Sequence, residues 1–254
     1  MKIKKILVSQ PQPTSEKSPY FDIAKRHDVE IVFRPMIKVE GLTAKEFRQS
    51  KINIADYTAI IFTSRTAVDH YFRLCEECRF SVPDTMRYFC TTEQIALYLQ
   101  KYIVYRKRKI SFGITGKLDD PQFVQAVVKN AKEKFLFPIS DVQADTVPVI
   151  ADNKINYTPA VMYRTVSNDF TPDENFDYDL LLFFSPAGIE SLKKNFPEFG
   201  KNGKQPISIG CFGASTSKAV TDAGFRLDFE APTKENPSMT AALDAFLTRN
   251  EEGK

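Results

Sequence analysis

Asp56-Tyr57-Thr58-Ala59-Ile60-Ile61-Phe62-Thr63-Ser64 and Asp177-Tyr178-Asp179-Leu180-Leu181-Leu182-Phe183-Phe184-Ser185 align without a gap. Each begins with an aspartate and a tyrosine, passes through an unbroken apolar run and closes on a serine. An apolar run without polar alternation is what a strand covered on both faces of a parallel sheet requires. Arg65-Thr66-Ala67-Val68 follows the first segment and Pro186-Ala187-Gly188-Ile189 the second, and both read as the start of a helix. The chain therefore reads as two related halves, although so short a likeness is also what shared strand-helix grammar would produce.

Outward from these segments, short apolar runs alternate with amphipathic stretches along the whole chain, the pattern of βα units in a mostly parallel sheet. Strands are expected at 3–8, 29–34, 58–63, 86–90, 134–137, 155–163, 179–184, 206–210 and 225–229. Helical spacing of apolar residues marks 66–78, 92–101, 120–132, 187–195, 214–223 and 238–248. Phe33 to Val39 and Tyr157 to Thr165 contain Pro35 and Pro159 among β-branched residues, so both are expected to be extended and to pair. The expected fold class is α/β, with two related lobes, each a mostly parallel sheet flanked by helices in the flavodoxin-like manner. One lobe takes 1–36 and 166–254, the other is inserted as 40–160, and 33–40 with 157–165 form the two-stranded connector.

With 254 residues and 43% hydrophobic content, the chain can bury a sizeable core. Its apolar runs fall far short of the roughly 20 residues that cross a bilayer, so no membrane partner is expected. The lysines and short apolar stretch at Lys2 to Val8 lack the length of a signal segment. Four cysteines in no regular framework suit a reducing compartment, and the cytoplasm is the expected location. A net charge of +3 from 35 basic and 32 acidic residues points away from nucleic acid as a partner.

In a doubly wound sheet, ligands bind beyond the carboxyl ends of the strands, where helix N-termini present free N–H groups and a positive dipole. An anion is the natural guest. Ser64, Arg65 and Thr66, then Ser185, Pro186 and Ala187, then Gly213, Ser215 and Thr216 all fall at such junctions. The serines could equally be helix caps, and capping does not preclude binding.

Other patterns fail on inspection. Cys75-Glu76-Glu77-Cys78 has the spacing of a redox or metal pair but lacks a second pair and a nearby histidine. Gly113-Ile114-Thr115-Gly116-Lys117 lacks the spacing of a nucleotide phosphate loop and the hydroxyl residue after lysine. Gly210-Cys211-Phe212-Gly213 likewise lacks the dinucleotide fingerprint. Lys101 to Lys109 reads as a solvated basic edge strand guarded against pairing rather than a nucleic-acid site. His27 and His70 stand beside no nucleophile, which argues against a triad hydrolase or a zinc enzyme. No metal and no cofactor is implied, and the chemistry should ask little of side chains.

Several motifs taken in order nevertheless resemble one family, the uroporphyrinogen-III synthases. They are Phe62-Thr63-Ser64 with Ala67-Val68; Tyr163-Arg164-Thr165; Phe184-Ser185-Pro186-Ala187-Gly188; and Ile209 to Val220, trailed by Ala223-Gly224-Phe225 and Ala231-Pro232-Thr233. The resemblance covers nearly the whole chain. Gln10 departs from it where the first strand usually ends in arginine, as do Ile139 and Ser140 where arginine and glycine are common. Cys90 and Glu93 replace an expected glycine and threonine.

The resemblance implies a cyclising hydro-lyase of haem biosynthesis. Its small-molecule substrate is the polycarboxylate hydroxymethylbilane, closed to uroporphyrinogen III with loss of water and inversion of ring D. Cyclisation to the symmetrical isomer needs no enzyme, so the catalyst faces a positioning problem. The resemblance further implies an anion site in the cleft between the lobes and makes Tyr163 the candidate for assisting hydroxyl loss. A phenol is protonated at neutral pH and can donate to a departing hydroxyl. The chain is expected to act as a monomer, with transient contact to the preceding pathway enzyme. The competing reading is a non-catalytic two-lobed regulatory protein that binds a tetrapyrrole or another anion.

Overall fold

The computed structural model describes residues 2–142, 155–201 and 205–253. In chain order the first elements are β1 (Lys5–Val8), α1 (Pro19–Arg26), β2 (Glu30–Phe33), β3 (Ile37–Gly41), α2 (Ala44–Arg48), β4 (Ala59–Phe62), α3 (Arg65–Glu77) and β5 (Arg87–Cys90). Next come α4 (Glu93–Tyr98), β6 (Ile110–Phe112), α5 (Pro121–Lys129), β7 (Phe135–Ser140) and β8 (Tyr157–Ser167). The chain continues with β9 (Leu180–Phe183), α6 (Pro186–Asn195), β10 (Ser208–Phe212), α7 (Ala214–Asp222), β11 (Phe229–Ala231) and α8 (Met239–Glu252).

Two compact units result, one of Met1–Lys38 with Val166–Lys254 and one of Val39–Thr165. The first holds a five-stranded sheet in the order β11-β10-β9-β1-β2, with every pair parallel. The second holds a six-stranded sheet in the order β3-β8-β7-β4-β5-β6. Both apolar runs of the aligned segments occupy the third strand counted from the β11 or β6 edge. From there the orders match strand for strand, β2-β1-β9-β10-β11 against β8-β7-β4-β5-β6. The difference lies in the chain: the pair β1 and β2 comes first in one unit, whereas β7 and β8 come last in the other. The units therefore share an arrangement related by circular permutation, which a gapless alignment can detect only around β4 and β9.

Burial explains why these runs are uniformly apolar. Ile60 and Phe62 enter the core beneath α3 and α4, while Ala59 and Ile61 enter the opposite core beneath α5. Leu180 and Leu182 pack towards α1 and α8, and Leu181 and Phe183 towards α6 and α7. With both faces covered, each of the buried leucines, isoleucines and phenylalanines contributes about 1.5–3 kcal/mol.

At the crossover, Asn168 N–H donates to Met36 C=O at 2.9 Å and Leu42 N–H to Met162 C=O at 3.0 Å, so β3 and β8 pair antiparallel. Arg34 organises the start of this ribbon within the first unit. Its guanidinium lies 3.7 Å from the Phe170 ring centroid, donates to the carbonyls of Pro35, Asn168 and Asp169, and forks onto Glu174.

The expected strand at 225–229 begins only at Phe229. The cause is a helix stop. Phe225 N–H donates to Val220 C=O and Gly224 N–H to Thr221 C=O, the paired bonds that close a helix through a left-handed residue. Phe225 is thus the capping hydrophobe of α7 and packs edge-on against Phe199 at 5.1 Å. The same device ends α3, where Phe80 N–H donates to Cys75 C=O after Arg79 at φ 57°.

The basic run at 101–109 also differs from expectation, being irregular chain and single 3₁₀ turns, with the edge strand β6 starting after it. Its first two side chains, Lys101 and Tyr102, face α3, while Arg106 pairs with Asp84 at 3.2 Å. The Lys101 ammonium and the hydroxyls of Tyr98 and Tyr102 all donate to Asp69, and Phe72 and Tyr102 stack at 4.5 Å. α1, α2 and β6 lie outside the expected elements altogether.

Candidate functional site

In each unit the carboxyl ends of the parallel strands form a row of short junctions. β9 pairs with β10 through Phe183 and Cys211, so Ser185 and Gly213, each two residues further on, start neighbouring helices. Ser185, Pro186 and Ala187 open α6, and Gly213 leads into Ser215 and Thr216 of α7. Ser185 makes no side-chain cap, which leaves the first N–H groups of α6 without that acceptor. Gly213 is in a left-handed conformation, φ 90° and ψ 141°, and accepts from the N–H groups of Thr216 and Ser217, both at 3.0 Å. Thr216 is buried, whereas Ser215 is exposed. Between the two helix starts lie Phe184 and the exposed Phe212, stacked at 6.3 Å. The sequence reading passed over this aromatic pair, whose signal was a phenylalanine at the end of each strand.

In the other unit, Ser64 caps α3 by accepting the Ala67 N–H at 3.0 Å, so its hydroxyl is already engaged. Arg65 is exposed and lies 5.2 Å from the Tyr98 ring centroid; Thr66 is half-buried in the same turn. The next junction along, after β5, holds Thr91, whose buried hydroxyl has no partner among the described residues.

Tyr163 reaches the same edge by a register shift. β8 runs beside β7 in simple register until Val161 pairs with Ile139; then Ser140 pairs with Tyr163, and Met162 is the extra residue of a bulge. A bulge re-aims the side chains that follow it. Ala160 is buried and Val161 exposed, as alternation demands, but Met162 and Tyr163 are both buried in the core beneath α3. There the Tyr163 ring stacks on His70 of α3, with centroids 5.1 Å apart and planes at 17°. Tyr163 as a whole is 7% exposed. Its hydroxyl makes no hydrogen bond among the described residues, yet it is not one of the sealed, unpartnered oxygens, which are those of Tyr71 and Thr91. The strand itself runs on to Ser167, so Tyr163 is an interior residue of β8.

The patterns set aside on sequence grounds have structural explanations. The loop at Gly113 to Lys117 does present N–H groups, but its own Asp120 fills it: Ile114 and Thr115 donate to one carboxylate oxygen at 3.1 and 2.9 Å. Phe123 N–H donates to the other oxygen at 3.0 Å and, with the loop N–H groups, holds this acid well below the usual carboxylate range. Cys75 is buried, and desolvation pushes its thiol up to about 12, unlike a redox thiol. His27 is buried between Asp244 at 2.8 Å and Glu251 at 3.1 Å, where it ties α1 to α8. Among the described residues there is no cluster of three metal-ligating side chains, and no helix is long and apolar enough to cross a membrane.

The family model for uroporphyrinogen-III synthase HemD matches residues 19–241. No curated protein matches the chain. Among solved structures, the uroporphyrinogen-III synthetase of Helicobacter pylori is similar at 15% identity and a TM-score of 0.56, over 97% of this chain and 100% of that one. A mutant uroporphyrinogen III synthase of the extremely thermophilic bacterium Thermus thermophilus aligns at 11% identity and a TM-score of 0.43, over 98% of each chain. The first of these likenesses shows a shared fold. Because the family model runs through both units and takes in the Ser64, Tyr163, Ser185 and Gly213 junctions, the chain belongs to the uroporphyrinogen-III synthase family.

Proposed function

We propose that the chain closes hydroxymethylbilane to uroporphyrinogen III chiefly by positioning, with backbone N–H groups as anion holders and Tyr163 as the hydroxyl donor. The observation that carries the reading is the family match over residues 19–241. The substrate's carboxylates suit the N-terminal turns at Ser64-Arg65-Thr66, Ser185-Pro186-Ala187 and Gly213 to Thr216, where main-chain N–H groups and the helix dipole favour negative charge. The uncapped start of α6 supports the second of these most directly. Holding the linear chain so that attack falls on the substituted carbon of ring D is worth more than any proton transfer, because the leaving hydroxyl is already labile.

Tyr163 is supported by the pairing of a fixed ring with a hydroxyl that no described neighbour occupies. The hydroxyl leaves with the C–O electron pair and takes a proton from the phenol. The N–H proton released as the pyrrole becomes an azafulvene restores the balance. Such acid assistance is worth about 10²-fold or less for so easy a departure.

The test is incubation with freshly made hydroxymethylbilane and identification of the uroporphyrin isomer. Isomer III with turnover is the expected result, and isomer I alone would leave only a binder. Tyr163→Phe keeps the ring and should lower turnover with near-normal stability and an unchanged isomer in whatever product forms. Full activity in this variant would remove the catalytic role.

A further inference from the structure

Tyr163 is held by a chain of contacts that reaches back through α3. His70 stacks on it, and the Nδ1 atom of His70 accepts a hydrogen bond from Arg73 Nε–H at 3.2 Å. The Arg73 guanidinium is itself fixed, donating to Leu42 C=O at 2.7 Å and to the Glu77 carboxylate. The other Glu77 oxygen accepts the Ala44 N–H at 3.0 Å. A guanidinium has donors only. The imidazole nitrogen facing it must therefore carry the lone pair, so the ring is neutral with its proton on Nε2. Burial and the Arg73 charge both lower the pKa of His70, against a smaller opposing pull from Asp69.

Gly41 of β3 closes the same contact from the other side. A Cβ placed there would lie 2.5 Å from Arg73 Nη2, 2.7 Å from Arg73 Cζ and 2.7 Å from His70 Nδ1. Any side chain at this position would have to push the histidine and arginine apart. Three features thus converge on one ring: a near-parallel stack, a nitrogen fixed in one protonation state and a bare backbone that makes room for both.

We infer that His70 is a positioning residue for the Tyr163 hydroxyl, its tautomer fixed by Arg73 and its place kept open by Gly41. The inference rests on the reading of Tyr163 as hydroxyl donor. The bulge supplies the direction of the tyrosine ring, and the imidazole face limits the ring's rotation so that the hydroxyl meets the leaving group in one orientation. An imidazole that picked up a second proton would oppose N–H to N–H at Arg73 and loosen the stack.

The test combines side-chain NMR with kinetics on the full chain. Ring signals of ¹³C-labelled Tyr163 should report a single ordered environment in the parent protein, and ¹⁵N shifts of His70 should report the Nε2–H tautomer. His70→Ala should broaden or average the Tyr163 ring signals and lower kcat on the order of 10-fold with little change in KM. His70→Phe keeps a stacking face and should restore ring order and most of kcat. In a Tyr163→Phe background, His70→Ala should lower kcat no further. Ring signals unchanged in His70→Ala, or an equal loss of kcat in both backgrounds, would overturn the inference. If Tyr163→Phe alone is fully active, the catalytic reading of that residue falls, while the ring signals still decide whether His70 positions it. Should His70→Ala fail to fold, Arg73→Met serves in its place: it keeps the imidazole, removes its donor, and must shift the tautomer and disorder the Tyr163 ring for the inference to survive.

Discussion

Replacing Gly213 tests the geometry of the α7 junction because its cost has a single origin. The residue sits at φ 90° and ψ 141°, a region that L side chains rarely adopt. A Cβ built there meets nothing within 4 Å. The penalty is therefore purely conformational, about 1–3 kcal/mol, and independent of side-chain size. Gly213→Ala, Gly213→Ser and Gly213→Leu should lower stability by the same amount, read as equal shifts of the urea midpoint. Relaxing the strain would turn the first α7 turn, which carries Ser215 and Thr216, and KM for hydroxymethylbilane should rise in all three variants. Gly210, three residues earlier, is the control. Its Cβ would lie 2.3 Å from Phe229 Cζ, so Gly210→Ala should be costly and rescued by Phe229→Leu, whereas no neighbouring change should rescue Gly213→Ala. A loss that grows from Ala to Leu at position 213, or no loss at all, would refute the reasoning.

Ser64→Ala should cost about 1 kcal/mol in thermal or urea unfolding because it removes a cap, while Ser185→Ala, which removes none, should leave stability unchanged and act on substrate binding alone if it acts at all. Arg79→Gly should stabilise the protein by about 1 kcal/mol, since it relieves a left-handed backbone at an exposed residue beyond α3; an unchanged unfolding midpoint would count against that conformation. Acid should weaken both units. The Thr43 N–H holds Glu46 at about 2, against an ordinary 4.5, and Arg34 does the same for Glu174. A lowered folded-state pKa means that this stability is complete above about 4.5 and is lost as pH falls towards about 2. Urea midpoints followed through that window should decline in the parent protein and flatten in part in Glu46→Gln and Glu174→Gln.

Where the sequence was informative, the information was local. Four apolar residues in a row at Ala59 to Phe62 and at Leu180 to Phe183 can be satisfied only by strands covered on both faces, and that alone implied parallel sheets flanked by helices. Ser64 as a cap, the α6 start at Pro186 and the misfit of the Gly113 loop with phosphate were readable for the same reason, each being settled within a few residues. Signals of this kind were also overlooked: Ser18-Pro19 with Asp22 announces α1, and Thr43 with Glu46 is a capping box that announces α2. Phe225 is ambiguous in sequence, because a hydrophobe after a glycine suits both the start of a strand and the close of a helix.

Other features depend on residues far apart in the chain. The circular permutation that matches β1 and β2 to β7 and β8 appears only once the strand order is known. The basic run at Lys101 is drawn to Asp69 across a distance that no periodicity records. Tyr163 is the sharpest case. Its presence in a motif was visible in the sequence, but strict alternation after Val161 would leave the bulge, the stack on His70 and the link through Arg73 to Gly41 unforeseen. Local apolar pattern determines which elements form, because each residue's burial repeats with the period of its own element. Register and side-chain partnership are decided by contacts between elements, and only the tertiary structure brings those together.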